Sequence, residues 1–221
     1  MSFTYNLPTK MASNVKVKIK LDVFKIKRET SKKLKIAPAG LRSKANALFD
    51  KEKQRLLSDF DQHPVTMELQ MGPEGENISG TLGSKGNLFS FIGFNAGDNP
   101  TAIVRSFLSS ITLDKKKPRI RQKGSRATFE YTIQGGDKET LFEITKDAAP
   151  WMGKSWIKGV ESGISGLGSY IYWKRNMGFP PSRSGSGVQS RTKFRSGSYR
   201  PTKYISTLLE KFKKRLKKHG R

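Results

Sequence analysis

The chain has two histidines, His63 and His219, and no cysteine. Histidine is the side chain best suited to general acid–base work at neutral pH, but it needs a partner to accept or deliver the proton. His63 stands before Pro64 at a helix end, where a cation complements the dipole. His219 lies in the C-terminal "KKHGR". Neither has a nucleophile or carboxylate at motif spacing, so the sequence predicts no enzyme. Asp61, Glu68, Glu74, Glu76 and Asp98 could gather a hard cation, but their spacing matches no calcium loop and reads as a solvated acidic face. "GTLGSKG" lacks the frame of a phosphate-cradling loop, and "GISGLG" reverses the glycine order of a dinucleotide fingerprint. Both read as turns. No cofactor and no metal is expected, and without cysteine no thiolate site or disulfide can form.

The basic residues carry more information. The chain has 43 Lys and Arg against 18 Asp and Glu, a formal net charge of +25. Such an excess points to anionic partners rather than to a fold. Lys115, Lys116, Lys117, Arg119 and Arg121 crowd a loop or hairpin tip, "LDKKKPRIRQKG", suited to phosphate or another anion. Arg183, Arg191, Arg195 and Arg200 alternate with Ser and Gly, with Phe194 and Tyr199 between them. Arginine with interleaved aromatics can bind phosphates and stack bases, or lie across a neighbouring protein and anchor by its rings. Residues 61–100 form an acidic island of net −4, whereas 1–60 carry +10 and 175–221 carry +13.

These residues must be positioned by an α+β fold: a small mixed or antiparallel sheet with helices packed on one face. "NVKVKIKLDVFKIK" alternates as a lysine-rich strand whose phase slips near Val23, which predicts a bulge. Its lysine face is either solvated, as on a protected edge strand, or phosphate-binding. "LRSKANALFDKEKQRLLSDFDQH" reads as a helix ended by Pro64, with Ala45, Leu48, Phe49, Leu56, Leu57 and Phe60 on one stripe. "VTMEL" alternates as a short strand, and "GNLFSFIGF" reads as a large apolar strand. That second strand is either central in its own sheet, covered by the helices at 42–62 and 99–111, or finished by a neighbouring chain. Asn99 and Pro100 open another helix whose buried face holds Ile103, Val104, Phe107, Leu108 and Ile111. "ATFEYTIQGG" is a strand, "KETLFEIT" a strand or a helical turn, and "SWIKGVE" a short helix before an aromatic strand at 170–173. The organisation expected is a core at 1–174, an extended Gly/Ser/Arg-rich arm at 175–200 and an amphipathic helix at 201–221. No apolar run approaches the roughly 20 residues of a membrane span, and no secretory leader is recognisable, so folding in cytoplasm and no membrane partner are expected.

Two stretches together carry a resemblance: "LLSDFDQHPVTMELQMGPEGENISGTLGSKGNLFSFIGF", and "APWMGKSWIKGVESGISGLGSYIYW" followed by "SRSGSGVQ". Pro150, then Gly153, then a short helix and a strand resembles the neck and tail-completion proteins of tailed bacteriophages. Trp151 and Trp156 depart from the small or aliphatic residues of that pattern, and the basic C-terminal arm is extra. The resemblance implies a non-enzymatic virion component, assembled in the host cytoplasm, that forms a homo-oligomeric ring. It would touch other neck and tail proteins, and packaged DNA through non-specific contacts. The candidate interface residues are Leu88, Phe89, Phe91, Phe94, Trp151, Trp156, Phe194, Tyr199, Tyr204, Leu208, Leu209 and Phe212. If the basic arms lie on acidic faces of neighbouring subunits, such as the island at 61–100, desolvated pairs and apolar anchors predict an oligomer that survives about 0.5 M NaCl while any bound nucleic acid is stripped off. The competing expectation is an RNA-binding structural protein of ribosomal type that uses its basic extensions.

Overall fold

A computed structural model describes residues 19–25, 39–82, 87–123, 126–147, 155–163, 169–171, 188–190 and 201–218. The fold is α+β, and its described strands pair antiparallel. The chain divides into two compact units, each assembled from stretches far apart in sequence. The expected boundary at 174–175 lies outside the described residues, as does all of the 175–200 arm except Val188–Ser190.

The first unit holds residues 59–107 and 138–207 among its stretches. Helix α1 (Ala39–Asp61) stops before Pro64, but Pro64 then opens a new helix, α2 (Pro64–Gln70). "VTMEL" is therefore helical, not a strand. Val65, Glu68 and Leu69 are buried at helical spacing and Met67 is exposed, whereas alternation would have buried Met67. A 3-10 turn follows at Gly72–Glu74.

Within "GNLFSFIGF", Leu88–Ile92 is also a helix, α3, and not a strand. A short unbroken apolar run fits a buried strand or a buried helical turn equally well, so the ends decide. Asn87 Oδ1 caps the start by accepting from Ser90 N at 2.8 Å. Gly93 ends it at φ 89°, in the left-handed region open to glycine, and Phe94 N then donates back to Phe89 O at 3.3 Å.

Helix α4 (Pro100–Ser110) starts as its sequence predicts: Asn99 Oδ1 accepts from Ala102 N at 3.1 Å. "KETLFEIT" resolves as helix α5 (Lys138–Asp147) and "WIKGVE" as helix α6 (Trp156–Glu161). At the expected aromatic strand, β6 (Ser169–Ile171) pairs with β7 (Val188–Ser190). The first unit's core is a run of rings: Phe89 against Phe94 (5.5 Å between centroids), Phe94 edge-on to Trp156 (6.0 Å), Trp156 beside Tyr204 (6.4 Å), and Tyr204 stacked on Phe60 (6.2 Å). Edge-on and offset pairs of this kind add to the stabilisation from burial alone.

The second unit holds residues 6–58, 108–137 and 208–221. Strand β1 (Ile19–Lys25) pairs with β4 (Arg126–Tyr131), which pairs with β3 (Arg119–Lys123). The register shifts between Asp22 and Lys25, which is the bulge expected near Val23, and β1 is an edge strand. Strands β2 (Thr112–Leu113) and β5 (Ile133–Gln134) form a second pair. Helix α7 (Ile205–Lys218) contributes Leu208, Leu209, Phe212 and Leu216 to this unit's core, with Phe212 edge-on to Phe49 of α1 at 5.9 Å.

Candidate functional site

Two features of the described residues could meet a partner. One is an acidic loop region in the first unit; the other is a basic segment in the second.

The acidic region is built around Glu68, whose side chain works inside the protein. Its carboxylate is buried and accepts from Leu88 N at 2.6 Å and from Ser79 N at 2.8 Å. It thus ties α2 to both the 77–82 turn and the start of α3. Asn87 completes the clasp, its Nδ2 donating to the carbonyls of Gly72 (3.0 Å), Pro73 (2.7 Å) and Gly75 (2.9 Å). Gly75 is required there, because a Cβ would lie 2.5 Å from Met71 Cβ. Glu74, Glu76 and Asp98 remain exposed. The expected solvated acidic face therefore holds for these three, while Glu68 is structural and Asp61 pairs with Arg105 at 3.0 Å.

His63 has a structural place of its own. It is the N-cap of α2, and Nδ1 accepts from Val65 N at 3.3 Å. This corrects the expectation of a cation complementing a helix C-terminus: an accepting Nδ1 carries no proton, and the positive pole of α2 faces it. Its ring lies 4.7 Å from that of Tyr204. His219 lies outside the described residues.

The basic segment starts at the end of β2. Asp114 N donates to Thr132 O at 2.8 Å, and its Oδ1 accepts from Lys116 N at 3.0 Å. This side-chain turn fixes the bend that exposes Lys115, Lys116 and Lys117. Arg42 of α1 also holds the bend. It donates to Lys116 O at 3.3 Å, and its guanidinium sits 5.5 Å from the centre of the Tyr131 ring. The chain then enters β3, an edge strand on which Arg119 and Arg121 are both exposed. Arg121 pairs with the buried Glu130 of β4 at 3.1 Å, and Arg119 stands directly opposite Glu130 in the register. Lys115, Lys116, Lys117, Arg119 and Arg121, expected to meet an anion, thus share one bend and the strand it feeds. Nothing in the sequence marks Arg42 as their support; that signal exists only in the packing of α1 on Tyr131.

Several interface candidates have a different place. Leu88, Phe89, Phe94, Trp156, Tyr204, Leu208, Leu209 and Phe212 are all buried within their own chain, none more than 3% exposed. Phe91 is half-buried. Side chains closed off this completely cannot also meet a neighbour, so they are core residues. Trp151, Phe194, Tyr199, Arg183, Arg191, Arg195 and Arg200 lie outside the described residues.

Sorting the charges by unit reveals a division. Among the described residues, the second unit has twenty Lys and Arg against seven Asp and Glu, a net +13. The first has five against ten, a net −5. No group of His, Asp and Glu among the described residues is placed to hold a metal ion, and no described helix is long and apolar enough to cross a membrane. Compared with models of protein families, with curated proteins and with solved structures, the chain matches none.

Proposed function

We propose that the protein is a non-enzymatic structural component of a tailed-phage virion, at the neck between head and tail or in the upper tail, and that it assembles as a ring. The observation that carries this reading is the division of charge, net +13 against net −5 between the described residues of the two units. A ring closes through heterologous contacts, in which each subunit offers two different surfaces. Opposite charge on the two surfaces steers the encounter and sets its register. The acidic face of one subunit would receive the basic unit of the next, or its arginine-rich arm. The helix α6 followed by strand β6 also agrees with the short helix and strand of the resemblance.

With eight of the apolar candidates buried in each subunit, opposite charge is the main complementarity that the described residues offer to a neighbouring subunit, and the contact we propose is electrostatic. It should therefore weaken with salt, in contrast to the salt-resistant oligomer that the sequence suggests. The test is light scattering after size exclusion at about 50 mM and about 0.5 M NaCl. A multimer at low salt that dissociates at high salt, and that Glu74→Lys with Glu76→Lys disrupts at low salt, is the expected result. A monomer at both salts that carries RNA through purification would replace this reading with the RNA-binding one, which the basic unit taken alone favours.

A further inference from the structure

The geometry points to duplex DNA, held through its phosphate backbone, as the ligand of the 115–121 segment. Duplex DNA as the source of the phosphates rests on the virion reading, whereas the affinity for a phosphate backbone rests on the segment itself. Pairing between subunits leaves charge in surplus, since a net −5 among the described residues of one unit cannot neutralise the net +13 of the other. No carboxylate among the described residues forms an ion pair with Lys115, Lys116, Lys117 or Arg119. The backbone that carries the lysines, and the Arg121 side chain, are also held in place before any ligand arrives. Asp114 and Arg42 fix the lysine bend through its backbone, and Glu130 fixes Arg121. Preorganised groups lose less freedom on binding, so more of the attraction appears as affinity.

Among the described residues, the lack of a stacking surface beside this segment distinguishes duplex from single strand. Single-stranded nucleic acid is held by aromatic platforms on which bases stack. The large apolar side chains exposed among the described residues are Met67, Met71 and Ile78, all in the first unit. Phe129 and Tyr131, the aromatics of the neighbouring strand β4, are buried. A segment that offers cations and no exposed rings reads backbone charge, not bases.

The experiment measures binding of the full-length protein to a fluorescent 30-base-pair duplex between about 50 and 200 mM KCl, with the oligomeric state read separately without DNA. Failure of the ring reading would therefore not be confused with failure of this one. Each phosphate contact contributes about 0.9 to the slope of log affinity against log salt. The variant Lys115→Ala/Lys116→Ala/Lys117→Ala/Arg119→Ala should flatten the slope by about two to four. The control Lys211→Ala/Lys214→Ala/Lys217→Ala/Lys218→Ala removes the same formal charge from α7 and should flatten it by less than about one. If the first variant does not fold by circular dichroism, Lys116→Ala/Lys117→Ala carries the test, with a flattening of about two expected. Equal flattening by the 115–119 and α7 variants would reduce the effect to net charge and overturn the proposal. So would a wild-type slope shallower than about −1, or equal affinity for a 30-nucleotide single strand.

Discussion

Replacing Glu68 tests whether a buried carboxylate holds the first unit's loop and α3 in place. The side chain is fully buried and accepts two backbone hydrogen bonds, from Leu88 N at 2.6 Å and Ser79 N at 2.8 Å. Hydrogen bonds to a charged acceptor contribute about 1.5–3 kcal/mol each, and a buried N–H left without its acceptor costs about 1–3 kcal/mol. Glu68→Ala removes both acceptors at once and leaves a small void. The expected loss is about 3–6 kcal/mol, a large part of the roughly 5–15 kcal/mol by which a domain is stable. Glu68→Gln keeps one carbonyl oxygen but turns an NH₂ toward a backbone donor, and should cost about 1.5–3 kcal/mol. The assay is urea unfolding followed by tryptophan fluorescence, since Trp156 lies in the same unit's core. The order wild type, Gln, Ala in midpoint is the signature. If Ala comes within about 0.5 kcal/mol of wild type, as a surface substitution would, the clasp does not hold the fold.

Three other perturbations follow from the packing. Burial pushes the Tyr204 phenol well above its usual range. Its folded-state pKa exceeds the unfolded one, so the stability from this group is complete below about pH 10 and declines as pH rises beyond it, by up to about 1.4 kcal/mol per pH unit. Tyr204→Phe should reduce that alkaline slope in urea melts and, by leaving the Thr66 hydroxyl 2.7 Å away without this partner, cost about 1 kcal/mol at neutral pH. An unchanged slope would show that the phenol is solvated. Leu209→Ala opens the core of the second unit and should cost about 2–5 kcal/mol in the subunit itself, whatever its oligomeric state; a loss of assembly at unchanged subunit stability would restore Leu209 to an interface. Asn87→Ala removes the cap of α3 and the donor to three carbonyls, and hydrogen exchange at Ser90 should accelerate by at least about tenfold, the equivalent of about 1.4 kcal/mol; exchange at the wild-type rate would show that α3 does not depend on its cap.

Local signals in the sequence were sufficient for several elements, because the groups that define them are neighbours along the chain. Asn99 and Pro100 open α4 by their own hydrogen bonding and fixed φ, whatever lies around them. The alternation of Phe129, Tyr131 and Ile133 marks their burial, and the slip of phase at Val23 marks the bulge in β1. The apolar stripe of α7 likewise required a covering surface, though not a particular one. Where the stretch was short, the pattern was ambiguous. Val65, Met67 and Leu69 alternate, yet Pro64 and the His63 cap turn them into a helix that buries Glu68 instead of Met67.

Tertiary structure decided the rest, because it depends on residues distant in sequence. Glu68 resembles any other acid of the 61–100 island until Ser79 and Leu88 are brought to its carboxylate. The apolar "LFSFI" run and the α7 stripe need cover in any reading, and whether that cover is the same chain or a neighbour can be seen only once the core is assembled. Counted along the chain, the charge forms basic ends around an acidic middle. Folding regroups it, drawing most of α1, the 115–121 segment and the lysines of α7 into one unit and leaving most of the described acids in the other. Composition sets the total of +25, but only the path of the chain determines which charges share a surface, and a partner responds to that surface.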